Sequence, residues 1–371
     1  MPARSRAAKG ESMARFRAVV VGAGGISGTW FPRLADEKVE VAGVVDLDAE
    51  RAALRIEENG LSCEPSDDLA GTLRAQEPDF VLDLTVPEAH CKVTCTALEA
   101  GCHVIGEKPM AAGMAEARRM VRTAERTGKM YMVSQSRRWE SWHEQIAHAV
   151  SSGKLGTLTT ANCDFYIGAH FGGFRAEMAS PLILDMSIHH FDLVRMLTGT
   201  DPVAVYAHEF NPAGSWYDGD AAASCIFEMT DGVVFTYRGS WCAEGRSTSW
   251  HGDWRLIGDR GTLTYERDTE PVGEVVTSTT GRGVNPEHKP LSLPAPRLEH
   301  TAMTGALREM LRFLRTGEVP QTECHDNIKS LAMVFAAMES SRKGRRVPVR
   351  AQATAAQDRK STRLNSSHRL R

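Results

Sequence analysis

Apolar positions run along the chain in two rhythms. In the first, from Met13 to Ser136, short apolar runs alternate with longer mixed segments. The stretch "FRAVVVGAGGISGTW" predicts a buried strand, a glycine turn and the start of a helix. "VEVAGVVDLD" predicts a strand ending in acids, "PDFVLDLTVPEAH" a strand running into a turn, and "CHVIGEKPM" another strand. Helical segments lie between them, such as "PEAHCKVTCTALEAG", with Gly101 placed to end it. Strand and helix alternating at this spacing predict right-handed βαβ units and a parallel sheet.

The second rhythm starts after a helix near Trp142 to Ser152. Here "TLTTANCDFYI", "PVAVYAHEF", "AAASCIFEM", "GVVFTYRGSW", "WHGDWRLIG" and "GTLTYE" read as strands punctuated by turns. Asp231-Gly232 and Arg260-Gly261 suit tight hairpins, and successive hairpins make an antiparallel sheet. Two late helices follow. Met303, Leu307, Met310, Leu311 and Leu314 share one face, stopped by Gly317 and Pro320; Ile328, Leu331, Phe335 and Met338 share another, stopped by Gly344. The expected fold class is α/β: residues 13–136 on a parallel sheet, then residues 137–350 as an α+β unit on an open, mainly antiparallel sheet.

Composition adds little to this picture. A chain of 371 residues is long enough for two domains, and 42% hydrophobic with 25% charged residues is ordinary for a soluble protein. A net charge of −3, with no large basic stretch in the body, gives no reason to expect a nucleic-acid partner. The eight cysteines have no CxxC pair or disulfide-like spacing, which fits the reducing cytoplasm. The first apolar run, Ala18 to Val21, is far too short for a secretory or membrane segment, so no membrane association is expected. Both ends look foreign to the fold. Residues 1–12 are polar and basic, which makes Met13 the expected start. "DRKSTRLNSSH", Asp358 to His368, reads like a translated sequencing adapter, which would put the true C-terminus near Ala356 or beyond the chain. Residues 1–12 and 351–371 are therefore expected to be disordered or non-native tails.

The glycine turn carries the first candidate chemistry. Gly22, Gly24 and Gly25 follow a strand and precede a helix, as in a dinucleotide-binding fingerprint. The third fingerprint position is Ser27 instead of Gly or Ala. Asp46 ends the next strand, where a carboxylate accepts hydrogen bonds from the adenine ribose and repels a 2′-phosphate. Leu47 follows it instead of Arg, which favours NAD over NADP; Arg51 is the one nearby cation that could reverse this. Glu107-Lys108-Pro109 sits at the end of a predicted parallel strand, where such sheets hold ligands.

These motifs, with "TVPEAH", "AGCHVIGEKPM", "SRRW", "LDMSIHHFDLVRMLTG" and "ESSRKGRRVPV", resemble the glucose–fructose oxidoreductase / inositol dehydrogenase (Gfo/Idh/MocA) family of NAD(P)-dependent enzymes. The resemblance spans about Ala18 to Val349. It implies a Rossmann domain followed by an α/β domain whose open sheet commonly supports a homo-oligomer, here a dimer or tetramer. It also implies a catalytic set of Lys108, Asp185 and His189. The expected cofactor contacts are Gly22, Gly24, Gly25, Ile26, Ser27 and Asp46, with Thr85, Pro87, His90, Glu107 and Lys108 from the later strands. In one departure, "ASPLILD" replaces the family's glycine-rich approach, so Pro181 and Leu182 bear on the substrate.

On a helix, Asp185 and His189 are i, i+4 neighbours on one face, and Asp192 continues the stripe. His190 is rotated by about 100° from His189, so the two cannot easily share a ligand. The Asp185–His189–Asp192 stripe could hold one divalent ion, but no further His/Cys cluster supports a metal; His90, Cys91 and Cys95 read as buried helix residues. Proton transfer explains the motif better: His189 as base, Asp185 orienting it, and Lys108 stabilising alkoxide charge. Arg138, His170, Arg175, Trp241, Trp250, His251 and Trp254 cluster where a substrate should meet the cofactor, although each tryptophan alone suits sheet packing. The expected activity is hydride transfer between NAD and a secondary alcohol of a sugar, polyol or cyclitol derivative. An NAD-retaining glycoside hydrolase or lyase, and a non-catalytic NAD-bound regulator, are the alternatives.

Overall fold

The computed structural model describes residues 16–278, 287–293 and 298–352. Of the expected tails 1–12 and 351–371, residues 1–12 and 353–371 lie outside the described residues, as does the Met13 start; Ala351 is tied to the fold, its carbonyl accepting from Arg118 Nε at 3.0 Å. The first half builds β1 (Arg17–Val21), α1 (Ser27–Asp36), β2 (Glu40–Val45), α2 (Ala49–Glu58), β3 (Pro65–Ser66), α3 (Leu69–Gln76) and β4 (Phe80–Asp83). It continues with α4 (Pro87–Glu99), β5 (His103–Gly106), α5 (Met114–Thr127) and β6 (Tyr131–Val133). All six strands are parallel, in the order β3-β2-β1-β4-β5-β6. This is the doubly wound dinucleotide-binding order, whose ligand crevice lies at the carboxyl ends of the strands where the winding reverses, between β1 and β4. The strands read as near-continuous apolar runs because helices cover both faces: Val19, Val20, Phe80, Val81, Leu82, Val104 and Ile105 are fully buried.

A 3₁₀ turn (Ser136–Trp139) and α6 (Ser141–Ser151) lead into β7 (Leu158–Tyr166). A short α7 (Phe174–Glu177) precedes a π-helical segment (Leu182–Ser187) that continues directly into α8 (Ile188–Thr198). The sheet is completed by β8 (Pro202–Phe210), β9 (Ala222–Met229), β10 (Val234–Ser240), β11 (Asp253–Gly258), β12 (Gly261–Tyr265), β13 (Val272–Ser278) and β14 (Glu287–Pro290). After α9 (Ala302–Thr316) and α10 (Cys324–Lys343), β15 (Val347–Pro348) closes it. Its order is β14-β13-β12-β11-β7-β10-β9-β8-β15. Every pairing is antiparallel except β7 with β10, which run parallel at the centre. The two predicted turns do connect neighbouring antiparallel strands, β9 to β10 and β11 to β12.

From Ala223 onward β9 alternates strictly. In β9, Ala223, Cys225, Phe227 and Met229 point into the core, while Ser224, Ile226 and Glu228 face out. α8 packs its Phe191 on Phe227, Phe235 and Tyr237 of the inner face. The opposite face stays open.

α9 packs on the first half, and α10 spans both cores: Cys324, Ile328 and Leu331 join the first, Met333, Val334, Ala336 and Ala337 the second. Gly305 of α9 lies against Trp139 so closely that a Cβ there would come within 2.4 Å of the indole. Val133 at the end of β6 donates to the Thr322 carbonyl just before α10. The chain therefore returns to brace its first half before it ends.

Candidate active site

The crevice at the switch point is built from the glycine turn. Gly22 has φ +97°, and a Cβ there would meet the Leu84 and Thr85 backbone at 2.8–2.9 Å, so the position tolerates only glycine. Its N–H donates to the Val45 carbonyl, which ties β1 to β2. Gly24 and Gly25 face open space, leaving their backbone approachable. Ser27 is different: it is fully buried, and its hydroxyl and N–H both bond the Gly24 carbonyl. It shapes the turn from inside. Ile26 forms the N-cap position of α1 and is part-exposed.

Asp46 sits at the mouth of a cleft of about 500 Å³, with Gly22, Gly24, Leu47, Arg51, Thr85 and Val86 also on its walls. Its Oδ2 accepts from Ala23 N at 2.7 Å and its Oδ1 from Asp48 N at 3.0 Å, which aims the carboxylate. Arg51 reaches back to Asp46 at 3.8 Å and Asp48 at 3.4 Å, so its charge is shared with two acids. A cleft with a bare glycine backbone and, beside it, a fixed carboxylate fits the adenosine half of a dinucleotide. Pro87 occupies the first turn of α4. His90 bonds the Thr85 and Pro109 carbonyls at 2.9 and 3.0 Å, is almost wholly buried, and links the cleft wall to the lysine loop.

Glu107 and Lys108 diverge from the end of β5. Glu107 is buried and accepts from Trp30 Nε1 at 2.9 Å and from Lys108 N at 3.2 Å. Burial pushes its carboxyl pKa up, against the Trp30 bond and the Lys108 charge. Lys108, joined to Pro109 by a cis peptide, extends the other way to the second half of the chain. Its Nζ donates to the Asp185 carbonyl at 3.0 Å and to Asp185 Oδ1 at 2.9 Å. Asp185 Oδ2 accepts from Arg175 Nε at 2.6 Å. Burial would raise the Asp185 pKa, but Lys108 and Arg175 together hold it below the ordinary carboxylate range.

The sequence reading paired Asp185 with His189, and the structure does not. Asp185 lies in the π-helical segment, where the Ser187 hydroxyl reaches back five residues to the Leu182 carbonyl at 3.1 Å. The widened turn breaks the i, i+4 register of an α-helix, and both Asp185 oxygens go to cations instead. His189, in the first turn of α8, is part-exposed, and its Nδ1 is enclosed without a hydrogen-bond partner. Burial first, then the charges of Arg137 and Lys108, depress its pKa well below the usual imidazole value.

Asp192 leaves the stripe altogether. It makes two 2.7 Å bonds with Arg138 and accepts from Ser330 at 2.7 Å, all buried. Arg138 also bonds Asp326, as does Arg195, so a charged network ties the 3₁₀ turn, α8 and α10 together. Arg138 therefore belongs to the frame, not to the substrate surface. The two carboxylates of the supposed metal stripe are each held by cations of the protein. The cluster sequence reasoning missed is Glu323, Cys324 and His325, whose ligand atoms lie within 4.8 Å of one another. There His325 bridges Glu323 and Glu125 at the start of α10. Cys91 and Cys95 are buried in α4.

Around the mouth, Arg175 lies over the rings of Phe171 and Phe174 at 5.1 and 4.7 Å, and Trp250 stands near Phe165 and Phe171. Phe171, Phe174 and Trp250 are exposed. Trp241 and Trp254 are buried in the sheet core, and His170 stacks on Trp216 in an exposed loop. His251, the residue after Trp250, packs edge-on to His143, 4.9 Å between rings. Arg137 was the functional candidate not singled out from sequence; "SRRW" contains two adjacent arginines, and nothing in the string says which one turns inward.

Comparison with known proteins gives a consistent picture. Residues 16–135 match the family model described as oxidoreductase family, NAD-binding Rossmann fold, and residues 143–264 match the GFO/IDH/MocA C-terminal domain. Protein y4oX of Sinorhizobium fredii is 27% identical over 90% of this chain and 96% of its own length. D-apiose dehydrogenase of Paraburkholderia graminis is 27% identical over 91% of this chain and 90% of its own. An oxidoreductase from Agrobacterium radiobacter, solved with NAD+, L-tartaric acid and magnesium, superposes with a TM-score of 0.79 at 21% identity, covering 91% of this chain and 99% of that one.

Proposed function

The chain belongs to the Gfo/Idh/MocA family of NAD-binding oxidoreductases, and on that footing we propose that Lys108, Asp185 and His189 serve hydride transfer at a secondary alcohol of a sugar, polyol or cyclitol derivative. The observation that carries this reading is the Lys108–Asp185 contact. It fixes a cationic donor at the carboxyl end of the parallel sheet, beside a histidine with an unused ring nitrogen. D-Apiose dehydrogenase, similar over most of both chains, acts on a sugar by its name.

When bound, NAD supplies the hydride acceptor. Oxidation removes a hydride from carbon and a proton from its hydroxyl, leaving a carbonyl. Lys108 spends two of its three N–H donors on Asp185, and the third is free to meet the reacting oxygen. There it stabilises the negative charge that develops as the proton leaves. His189, kept unprotonated by burial and two nearby cations, is the group placed to take that proton. Asp185 acts as a positioning residue for Lys108 and Arg175.

Asp46 supports NAD over NADP. Its backbone bonds hold the carboxylate where a ribose would lie, and Arg51, the cation nearest to it, is already paired with Asp46 and Asp48. The outer face of the second sheet exposes Val203, Tyr206, Phe210, Ile226 and Val234, an apolar surface that suits a second copy of the chain. Among the described residues no helix is long and apolar enough to cross a membrane, and all eight cysteines are free, in keeping with the cytoplasm. The deciding assay follows NADH and, separately, NADPH formation across a panel of sugars, polyols and cyclitols. No turnover with any CH–OH compound would overturn the reading.

A further inference from the structure

Arg137 and Arg138 are neighbours in one 3₁₀ turn, yet their surroundings are opposite. Arg138 is saturated by Asp192, Asp326 and the Gln321 carbonyl. Arg137 donates to His190 Nε2 at 3.1 Å and points toward Met186 Sδ at 3.8 Å, both neutral partners. Among the described residues no carboxylate comes within ion-pair distance of it. Glu140 and Asp268 feel its charge from further away, and Asp268 is bonded to the Tyr265 hydroxyl.

The imidazole rings packed around Arg137 supply no negative charge either. His143 donates its Nδ1 to the Arg137 carbonyl at 2.7 Å, and burial pulls its pKa down to about 3. Burial likewise lowers His251 to about 4 and His190 well below the usual value. All three rings are neutral near pH 7. A guanidinium left this way is costly, because a desolvated charge needs a counter-charge. Burial accordingly draws the Arg137 pKa down to about 10.

Its location gives the counter-charge an identity. Met186 follows Asp185 and His190 follows His189, so Arg137 touches the same π-to-α turn that Lys108 touches. Lys108 and Arg175 each pair with Asp185, whereas Arg137 has only neutral partners within bonding distance. A neutral polyol would leave Arg137 unpaired, whereas a monoanion would pair it.

Building on the oxidoreductase reading above, we infer that the substrate is a sugar acid, an aldonate or uronate, whose carboxylate is received by Arg137 while its carbinol is presented to Lys108 and His189. A carboxylate suits this site better than a phosphate. One guanidinium fork matches one monoanion; with Nη1 bonded to His190 and one Nη2 hydrogen directed at Met186 Sδ, Nε and the second Nη2 hydrogen remain for a paired contact.

The test uses the full chain with saturating NAD and two matched sets of probes. D-gluconate, D-galactonate, D-glucuronate and D-galacturonate form the acid set; D-glucose, D-galactose, myo-inositol and glucose 6-phosphate form the comparison set. Thermal stabilisation by each probe and NADH formation are read in wild type, Arg137→Gln and Arg137→Lys, with the NAD-induced thermal shift as proof of folding. At least one acid should stabilise the wild type more than every comparison compound. Arg137→Gln should weaken that acid's binding by about 10- to 150-fold, the usual worth of hydrogen bonds to a charged group. Arg137→Lys should recover part of it, since the charge returns without the fork. Preference for a neutral sugar or the phosphate, an acid preference indifferent to Arg137, or no acid binding at all would each overturn the inference. Arg137-dependent acid binding without any NADH formation would leave it standing and remove the hydride-transfer reading instead.

Discussion

Lys108 Nζ and Asp185 Oδ1 meet at 2.9 Å, one from the end of β5 and the other from the π-helical segment of the second half. Each is largely enclosed, with side-chain exposures of 20% and 14%, so the pair is shielded from screening by solvent. This contact joins the cofactor half to the substrate half at the point where chemistry is proposed.

Lys108→Ala and His189→Ala should each lower kcat by roughly 10²–10⁴-fold, the range for removing an acid–base group. NAD affinity should change little, because the glycine turn and Asp46 are untouched. Steady-state rates and NAD titration on the same folded samples provide the check. A variant turning over at the wild-type rate would remove its residue from the mechanism.

Asp46→Ala should relax the preference for NAD. The carboxylate's ribose contact disappears, and Arg51 loses one of its acids and becomes available to a 2′-phosphate. The same change also frees Ala23 N, so weaker NAD binding accompanies the shift. The ratio of kcat/KM for NAD to that for NADP is the readout. If wild type already favours NADP, the role assigned to Asp46 is wrong.

Breaking the Arg138–Asp192 pair should unsettle the whole frame. Arg138→Ala leaves the buried Asp192 carboxylate without its bonded cation, at a cost of about 3–5 kcal/mol, and Asp192→Ala costs less because Arg138 keeps Asp326. Denaturant unfolding measures it. A loss below about 1 kcal/mol would mean the network relaxes around the gap.

His143 should make stability fall on mild acidification. Its folded pKa of about 3 lies below the unfolded value of 6.5. Below pH 6.5 the unfolded chain therefore gains a proton that the folded one refuses, and stability drops as pH falls from about 6.5 toward about 3. One unit below 6.5 the cost is about 1.4 kcal/mol. His143→Asn keeps a donor for the Arg137 carbonyl but cannot titrate. The stability gap between wild type and variant should narrow by about that amount between neutral pH and one unit below 6.5. A gap that does not change with pH would show that His143 does not resist protonation.

What the sequence determined by itself was local or periodic. The glycine turn, the acid ending β2, the Glu107-Lys108-Pro109 loop and the hairpin turns are each readable because a short stretch of chain allows few alternatives. Gly22 must be glycine for a steric reason, and the alternation in β9 follows from the two-residue pleat. The tertiary structure decided which partner each polar side chain found. Asp185 and His189 look like helical neighbours, yet a single π turn sends Asp185 to Lys108, 77 residues earlier in the chain. Arg137 and Arg138 are indistinguishable as letters; α8 and α10 bring two carboxylates to one and none to the other. The parallel pairing of β7 with β10, between runs of hairpins, the return of α9 to the first half and the span of α10 across both cores are of the same kind. Such choices depend on contacts between segments far apart in the chain, and charge pairing and close packing settle them only once those segments have met.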